Sequence, residues 1–329
     1  MRIGVFCSGG DAPGMNPCLR AVVRAALAEG HDVVGIRRGY AGLLGEQFFA
    51  SDDGEPLMKL RSVSGLSRFG GTILHSSRSE EFRTEAGQEK AAAILRKHRI
   101  DALIPIGGDG TFHGAVALKN HWDGQIVGCP GTIDNDLIGT DNTIGFATAV
   151  HTAVEAVDKL RDTAESHERM FLVEVMGRHS GYIALYTALA GGAEVAALPE
   201  TPTDTAEIVR HLQVLKARGK LSIMIVVAEG DEAGGARALD EALATAGCPF
   251  TTRVITLGHL QRGGPPSPAD RILATRLGEF AVRAIIEGHT DVMTGEVNGE
   301  LVLTPFVETF GKHKPIPQDL LDLLETMGR

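Results

Sequence analysis

Short apolar runs recur along the chain, and almost every one ends abruptly in glycine or a charged side chain. Arg2–Cys7 is followed by Ser8-Gly9-Gly10, and Ala102–Ile106 by Gly107-Gly108-Asp109. Helix-length segments with apolar residues at helical spacing separate these runs. The alternation predicts an α/β fold of largely parallel, buried strands covered by helices. Because the carboxyl ends of parallel strands share one edge of a sheet, we expect the polar tips to converge on a cleft.

Local signals mark the ends of several predicted helices and strands. Asn16 is a suitable N-cap and Pro17 a suitable first residue for a helix over 16–29, which would end at Gly30. A further helix is predicted over 268–286. The last part of the chain is predicted to form a strand over 301–307 and a terminal helix over 317–327.

The stretch 102–146 carries the clearest chemistry. The loop 107–111 reads GGDGT, and its backbone N–H groups could cradle phosphates while Asp109 holds Mg²⁺. A second strand over 125–129 leads to a loop that contains Thr132, Asp134 and Asp136. One of these carboxylates could take a proton from an attacking hydroxyl while the other bonds metal-bound water. The combination points to phosphoryl transfer.

Each of these signals also has a purely structural explanation. The glycine loop could be a tight turn capped by Asp109, and Asp and Asn are common in turns because they bond nearby backbone. Basic residues near strand tips are individually more often solvated or ion-paired. Collectively they suit bidentate phosphate recognition; they are Arg78, Arg83, Arg169, Arg178, Arg253, His259 and Arg262.

Composition narrows the class of protein. The net charge of −10 argues against a nucleic-acid surface but allows an anionic small molecule in a cleft with clustered arginines. The four cysteines form no CxxC pair, which is typical of reduced thiols in a cytosolic protein. The first residues read as a strand rather than a signal peptide, and the apolar runs are too short to span a bilayer. The expected location is the cytoplasm, with no membrane or nucleic-acid partner.

Taken together, several longer stretches resemble the phosphofructokinase family, in particular its bacterial ATP-dependent 6-phosphofructokinases. They run from Gly4 to Ala274 and so cover nearly the whole chain. The loop GGDGT alone is also similar to lipid and NAD kinases. The stretches are GVFCSGGDAPGMN, GGTILHSSR, IPIGGDGT, PGTIDNDLIGTDNTIGF, RDTAESHERMFLVEVMGRHSGYIAL, AGGAEVAALPE and RVITLGHLQRGGPPSPADRILA.

The resemblance implies two doubly wound, Rossmann-like α/β domains with the active site in the cleft between them. Residues 1–145 plus 258–304 would bind the nucleotide, and residues 146–257 plus 305–329 the sugar phosphate. The implied reaction is ATP-dependent phosphorylation of D-fructose 6-phosphate at its 1-hydroxyl, a step of glycolysis. The implied assembly is a homo-oligomer, with a tetramer expected.

Residue roles are likewise implied by the resemblance. Asp134 would be the general base, Thr132 would contact the transferred phosphoryl group, and Arg178 with Arg78 would stabilise its charge. Asp109 would organise Mg²⁺, with Asp136 nearby. The nucleotide site would comprise Gly10, Tyr40, Arg78, Ser79, Gly108, Asp109, Gly110 and Thr111. The sugar-phosphate site would comprise Thr132, Asp134, Arg169, Met176, Gly177, Arg178, Glu229, Arg253, His259 and Arg262, with Arg169 and Arg253 reaching a neighbouring subunit.

Two glycines bear on the phosphoryl donor. Pyrophosphate-using relatives typically carry Asp at the position of Gly110 and Lys at the position of Gly131. A side chain at the first would crowd an α-phosphate, and a lysine at the second would supply charge to pyrophosphate. Glycine at both positions favours ATP. A pyrophosphate-dependent enzyme and a non-catalytic sugar-phosphate or nucleotide sensor remain the alternatives.

An effector site for ADP or phosphoenolpyruvate at a subunit interface is also implied. Leu60 stands where an arginine is usual, Gly65 where an acid is usual, and Leu221 and Ser222 replace a basic pair. Effector binding is expected from the positions that match, whereas these departures leave its direction and strength open. The matching positions are Arg20, Arg24, Arg161, Gly192, Glu194, Arg218 and Lys220.

Overall fold

Strands, most of them apolar and buried, alternate with helices along the chain, as the computed structural model describes it over residues 1–51, 54, 56–232, 234–312 and 314–328. The strands are β1 (Arg2–Cys7), β2 (Asp32–Gly35), β3 (Ala102–Gly107), β4 (Gln125–Thr132), β5 (Ile144–Gly145), β6 (Arg169–Val175), β7 (Val195–Ala197), β8 (Ile223–Ala228), β9 (Thr251–Thr256), β10 (Val292–Val297) and β11 (Glu300–Pro305). The α-helices are α1 (Met15–Ala28), α2 (Gly39–Leu44), α3 (Glu85–Lys97), α4 (Asp109–Lys119), α5 (Phe146–His167), α6 (Tyr182–Gly191), α7 (Thr205–Ala217), α8 (Gly235–Thr245), α9 (Pro268–Ile286), α10 (Phe306–Thr309) and α11 (Gln318–Gly328).

Backbone contacts divide the chain into two compact units. Unit 1 comprises Met1–Ile133, Leu137–Ala147 and Arg262–His313, and unit 2 comprises Asp134–Asp136, Thr148–Gln261 and Lys314–Arg329. These units differ from the ranges expected from sequence chiefly at 134–136, 258–261 and 305–312. The assignment of one domain to the nucleotide and one to the sugar phosphate stays a proposal.

Unit 1 is built on a seven-stranded sheet in the order β11-β10-β4-β3-β1-β2, with β5 pairing beside the end of β4. All of these pairs are parallel except the hairpin of β10 and β11. Because β1, β3 and β4 are adjacent, the loops that follow Cys7, Gly107 and Thr132 leave the sheet side by side.

Unit 2 is built on a four-stranded parallel sheet in the order β7-β8-β6-β9. Its core packs fully buried side chains of β6 and β8, such as Leu172 and Ile225, against those of α7 and α8, such as Leu212 and Leu239. In the register of this sheet, Val175 of β6 pairs with Ala228 of β8, and Glu174 with Thr256 of β9. The carboxyl ends of these three strands therefore lie together.

The predicted α/β class with mostly parallel sheets is confirmed, but several local predictions were wrong. Helix α1 begins at Met15 with Gly14 as N-cap, whereas the side chain of Asn16 donates to the carbonyls of Phe69 and Gly70 instead of capping the helix. The strand β10 was not predicted, and the strand predicted over 301–307 is β11, which ends at Pro305. No helix in the described part of the chain is long and apolar enough to cross a membrane.

Candidate active site

The glycine-rich loop at the start of α4 is fixed against the tip of β1. Gly108 is the N-cap of α4 and Asp109 its first residue. Thr111, which is 2% exposed, donates its hydroxyl to the carbonyl of Ser8 at 3.2 Å. A Cβ on Gly107 would lie 2.6 Å from that same carbonyl, so the approach requires glycine. The loop thus presents the first backbone N–H groups of a helix in a rigid frame, which suits an anion.

Tyr40 supports this loop from within the core. Its ring is stacked on Phe82 with centroids 3.9 Å apart, and its hydroxyl donates to the carbonyl of Thr111 at 2.8 Å. Burial raises the pKa of the Tyr40 phenol, so the group is a neutral donor. Tyr40, predicted to line a nucleotide site, is 5% exposed and contacts the loop's backbone.

The outer side of the loop is open. Gly110 is exposed, and a Cβ built on it would meet no atom of the described residues within 4 Å. A Cβ on Gly10, at the tip of β1, would lie 3.3 Å from Nη1 of Arg262, so this guanidinium lies beside that tip. Arg78 is exposed, and the hydroxyl of Ser79 accepts a hydrogen bond from the backbone N–H of Phe82 at 3.2 Å.

Asp109 is suited to a metal that arrives with its ligand. Its Oδ1 is buried and accepts no hydrogen bond from the described residues; Nε2 of His113 lies 3.4 Å away, one turn along α4. Within the described ranges, no group of three or more His, Cys, Asp or Glu side chains is arranged to hold a metal. Mg²⁺ typically uses one or two carboxylates plus substrate phosphates and water, and a single carboxylate beside an anion-binding loop fits that use.

Thr132 ends β4 and is held by the strand that pairs with it. Thr132 is opposite Gly145 of β5, and its carbonyl accepts a hydrogen bond from the hydroxyl of Thr143 at 2.6 Å. A Cβ on Gly108 would lie 3.3 Å from Cβ of Thr132. The threonine and the anion-binding loop are therefore neighbours in unit 1.

In unit 2, the turn of Asp134, Asn135 and Asp136 brings a carboxylate to an arginine. Nε of Arg178 lies 3.6 Å from Oδ2 of Asp134, which is 5% exposed. Asn135 adopts a left-handed conformation (φ 53°), is fully buried, and accepts a hydrogen bond from Nζ of Lys314 at 3.1 Å. The structure thus joins two of the predicted catalytic residues in one ion pair.

The tip of β6 is held from both neighbouring strands. The backbone N–H of Met176 donates to Oε1 of Gln261 at 2.8 Å, and that of Arg178 donates to Oε1 of Glu229 at 2.9 Å. Between them Gly177 has φ 140°, and Arg178 itself has φ 53°. The predicted substrate residues Met176, Gly177, Arg178 and Glu229 therefore form one connected cluster.

Two of the other predicted substrate residues, Arg169 and Arg253, lie away from this tip. Arg169 is the first residue of β6, and Arg253 pairs with Phe171 near the start of that strand. At about 3.3 Å per residue, the strand separates Arg169 from Met176 by roughly 20 Å. His259 is exposed in a short 3₁₀ helix, Gly258–Arg262, that follows β9.

The residues matched to an effector site fall into two groups. Arg161 donates to the carbonyls of Gly191 and Gly192, at 2.6 and 2.8 Å. Lys220 forms an ion pair with the buried carboxylate of Glu194. Arg218 is the exposed C-cap of α7, while Arg20 and Arg24 belong to α1 in unit 1.

Two polar residues around the tips were not predicted as functional. Gln261 bonds the tip of β6, and Lys314 bonds Asn135 between the two aspartates. Gln261 follows a strand tip and precedes Arg262, so its position was a usable signal. Lys314 comes from a segment nearly 180 residues away from Asn135, and no local pattern marks it.

Comparison with known proteins gives consistent matches. The family model described as phosphofructokinase matches residues 2–285. The chain is 53% identical over 328 residues to ATP-dependent 6-phosphofructokinase 1 of Thermus thermophilus, covering 99% of each chain. It is 49% identical over 331 residues to the ATP-dependent 6-phosphofructokinase of Cytophaga hutchinsonii, covering 99% and 98%.

Solved structures agree with this match. Phosphofructokinase from Saccharomyces cerevisiae has a TM-score of 0.83 and 34% identity; the match covers 99% of this chain and 46% of the yeast chain. A pyrophosphate-dependent phosphofructokinase from Marinobacter aquaeolei has a TM-score of 0.82 at 23% identity, covering 99% of this chain and 91% of that one. The second likeness concerns the fold alone.

Proposed function

The chain belongs to the phosphofructokinase family, and we propose that it transfers the γ-phosphoryl group of ATP to the 1-hydroxyl of D-fructose 6-phosphate. The products are fructose 1,6-bisphosphate and ADP. The observation that carries the proposal is the ion pair of Asp134 with Arg178, found in a chain that is 53% identical to a named ATP-dependent 6-phosphofructokinase. The chain is thus a kinase of glycolysis.

Asp134 is the proposed general base. Its carboxylate accepts the proton of the 1-hydroxyl as the oxygen attacks the γ-phosphorus, and the bond from that phosphorus to the β–γ bridging oxygen breaks. Arg178 is half-exposed and can contact the transferred phosphoryl group, whose charge it neutralises. Thr132 would bond the same group, with Asp136 near the metal.

The loop 107–111 is proposed to bind the phosphates of ATP through its backbone N–H groups. Asp109 would hold Mg²⁺, which when bound neutralises phosphate charge. Gly10, Arg78, Ser79, Gly108, Gly110 and Thr111 would complete this site, with Tyr40 supporting it. Open space at Gly110 is compatible with a nucleotide donor.

The sugar phosphate is proposed to bind Met176, Gly177, Arg178, Glu229, His259 and Arg262. Arg169 and Arg253, at the far end of β6 and β9, would serve the site of a neighbouring subunit, so the enzyme would be an oligomer, with a tetramer expected. The effector residues would bind ADP or phosphoenolpyruvate. Two of these effector residues, Lys220 and Glu194, already form an ion pair with each other.

A coupled assay with purified protein tests the proposal. We expect fructose 6-phosphate turnover with ATP and little with pyrophosphate, each measured with and without ADP and phosphoenolpyruvate. Turnover with pyrophosphate but not ATP would reassign the donor. Tight binding of both substrates without product would instead identify a sensor.

A further inference from the structure

Gln261 is a buried amide that the proposed mechanism does not use. It is 0% exposed, and both the oxygen and the nitrogen of its amide form hydrogen bonds. Oε1 accepts from the backbone N–H of Met176 at 2.8 Å, and Nε2 donates to the carbonyl of Ala149 in α5 at 3.4 Å. A buried amide is costly unless it is hydrogen-bonded, so these two bonds define what the side chain does there.

The bond to Met176 is one half of a two-sided grip on the tip of β6. This strand lies between β8 and β9 in the sheet. On the β9 side, Oε1 of Gln261 accepts a hydrogen bond from the backbone N–H of Met176. On the β8 side, Oε1 of Glu229 accepts one from the backbone N–H of Arg178. The bonded amides are two residues apart, so the loop between them is fixed at both ends.

The loop contains a backbone conformation that is uncommon for a residue other than glycine. Arg178 has φ 53°, in the left-handed region. Such a conformation persists only where the surroundings over-determine it. In this conformation, Nε of Arg178 lies 3.6 Å from Oδ2 of Asp134.

We propose that Gln261 is a positioning residue that holds the loop 176–178 in the shape in which Arg178 meets Asp134. Gln261 acts through Met176, and both atoms of its amide are hydrogen-bonded to backbone groups. The inference rests on the proposed function, because Arg178 and Asp134 are the groups that the proposed reaction uses.

Two substitutions separate positioning from simple stability. Gln261→Met keeps the length of the side chain but removes both hydrogen bonds, whereas Gln261→Glu keeps an acceptor for Met176. For Gln261→Met we expect kcat/KM for fructose 6-phosphate to fall by about 10- to 100-fold, since a misplacement of about 1 Å can cost on that order. The KM for ATP should stay within about twofold. Gln261→Glu keeps the acceptor for Met176 but sets a carboxyl oxygen against the carbonyl of Ala149, so it should recover part of the loss.

Gln125 offers a matched control. Its amide also donates to backbone carbonyls, those of Ile285 and His289, but it lies at the start of β4, away from the tips. Gln125→Met should lower the melting temperature without changing kcat/KM by more than about twofold. An equal loss of activity in Gln125→Met and Gln261→Met would overturn the positioning role, as would normal kinetics in a folded Gln261→Met protein.

Amide hydrogen exchange gives a readout that does not depend on the reaction. Peptides covering 170–182 should exchange faster in Gln261→Met than in the wild type, with peptides of α4 unchanged. Unchanged exchange at 170–182 would overturn the proposal whatever the enzyme's substrate. If the wild type fails to phosphorylate fructose 6-phosphate but exchange responds as expected, the proposed function fails and the positioning role stands.

Discussion

Asp134 and Arg178 face each other with Oδ2 and Nε 3.6 Å apart, and their side chains are 7% and 48% exposed. The carboxylate is sheltered, whereas much of the guanidinium remains available to an incoming anion. A base held in a protected place beside an exposed cation is a suitable arrangement for deprotonating a hydroxyl next to a phosphoryl group.

Replacing the base tests this arrangement directly. Asp134→Ser should lower kcat by about 10²–10⁴ while largely sparing the KM for fructose 6-phosphate, because general-base catalysis acts in the transition state. Steady-state kinetics with both substrates measures the split. Near-normal turnover would show that another group takes the proton.

Substitutions at Gly110 and Gly131, the two glycines that bear on the phosphoryl donor, should differ in their effect on stability. Gly110→Asp adds its side chain to open space, so the free energy of unfolding should change by no more than about 0.5 kcal/mol. The added charge should lower kcat/KM for ATP by about 100-fold or more, because a like charge beside phosphate costs several kcal/mol. Gly110→Ala is the uncharged control, and an equal loss there would indicate crowding rather than repulsion.

A side chain at Gly131 meets the core instead. A Cβ there would lie 2.9 Å from Cγ2 of Ile106 and 3.2 Å from Cε of Met15. Gly131→Lys alone should therefore destabilise the protein by about 1–3 kcal/mol. Urea unfolding measures this change. A variant as stable as the wild type would show that the core at this point can relax around a side chain.

Asp270 should matter for stability in unit 1. This residue of α9 is 1% exposed, and its Oδ1 accepts a hydrogen bond from the backbone N–H of Gly145 at 2.8 Å. The backbone N–H of Asp270 donates to Oγ of Ser267 at 3.3 Å. Asp270→Ala should cost about 1–3 kcal/mol, because it leaves the N–H of Gly145 without this acceptor. Asp270→Asn keeps an acceptor oxygen and should cost less in the same urea titration; equal costs would contradict this account.

Alkaline pH should destabilise the fold through Cys7. Burial raises the pKa of its thiol from 9.0 to about 12, against a lowering effect of the hydrogen bond from Thr72. Between these values the unfolded chain has lost the proton and the folded chain has kept it, so the free energy of unfolding falls as pH rises, by about 1.4 kcal/mol per pH unit for this group. Below pH 9 the thiol is protonated in both the folded and the unfolded chain, so the fold keeps the full stability that the protonated thiol allows.

The variant Cys7→Ala isolates that contribution from other groups that titrate in alkali. The loss of stability between pH 9 and pH 11, measured by urea unfolding, should be smaller in Cys7→Ala than in the wild type. Identical losses would mean that the buried thiol does not govern this pH range.

Local signals predicted elements well where the chain's own neighbours decide them. Helix α9 spans Pro268–Ile286 as predicted, because Ser267 caps it and proline fits its first turn. Asn16 misled because a distant segment, residues 69–73, competes for its side chain. Strand β10 was missed because Thr294 and Gly295 interrupt its apolar pattern, and pairing with β4 and β11 decides it.

The site shows the same division. The carboxylates and glycines at strand tips were visible as patterns, since parallel strands bring their tips together. Their supports were not, because Gln261 and Lys314 reach the tips by tertiary contacts that no local spacing records. The packing of Gly131 against Ile106 likewise depends on neighbouring strands rather than on its own loop.

The split order of the units along the chain has a consequence for synthesis on the ribosome. The four-stranded sheet has all its strands once Thr256 has emerged, whereas the other sheet waits for β10 and β11, which end at Pro305. Until then β4 has an unpaired edge, and such edges invite pairing with other chains. Nascent chains stalled between these points should therefore be the ones that most need a chaperone.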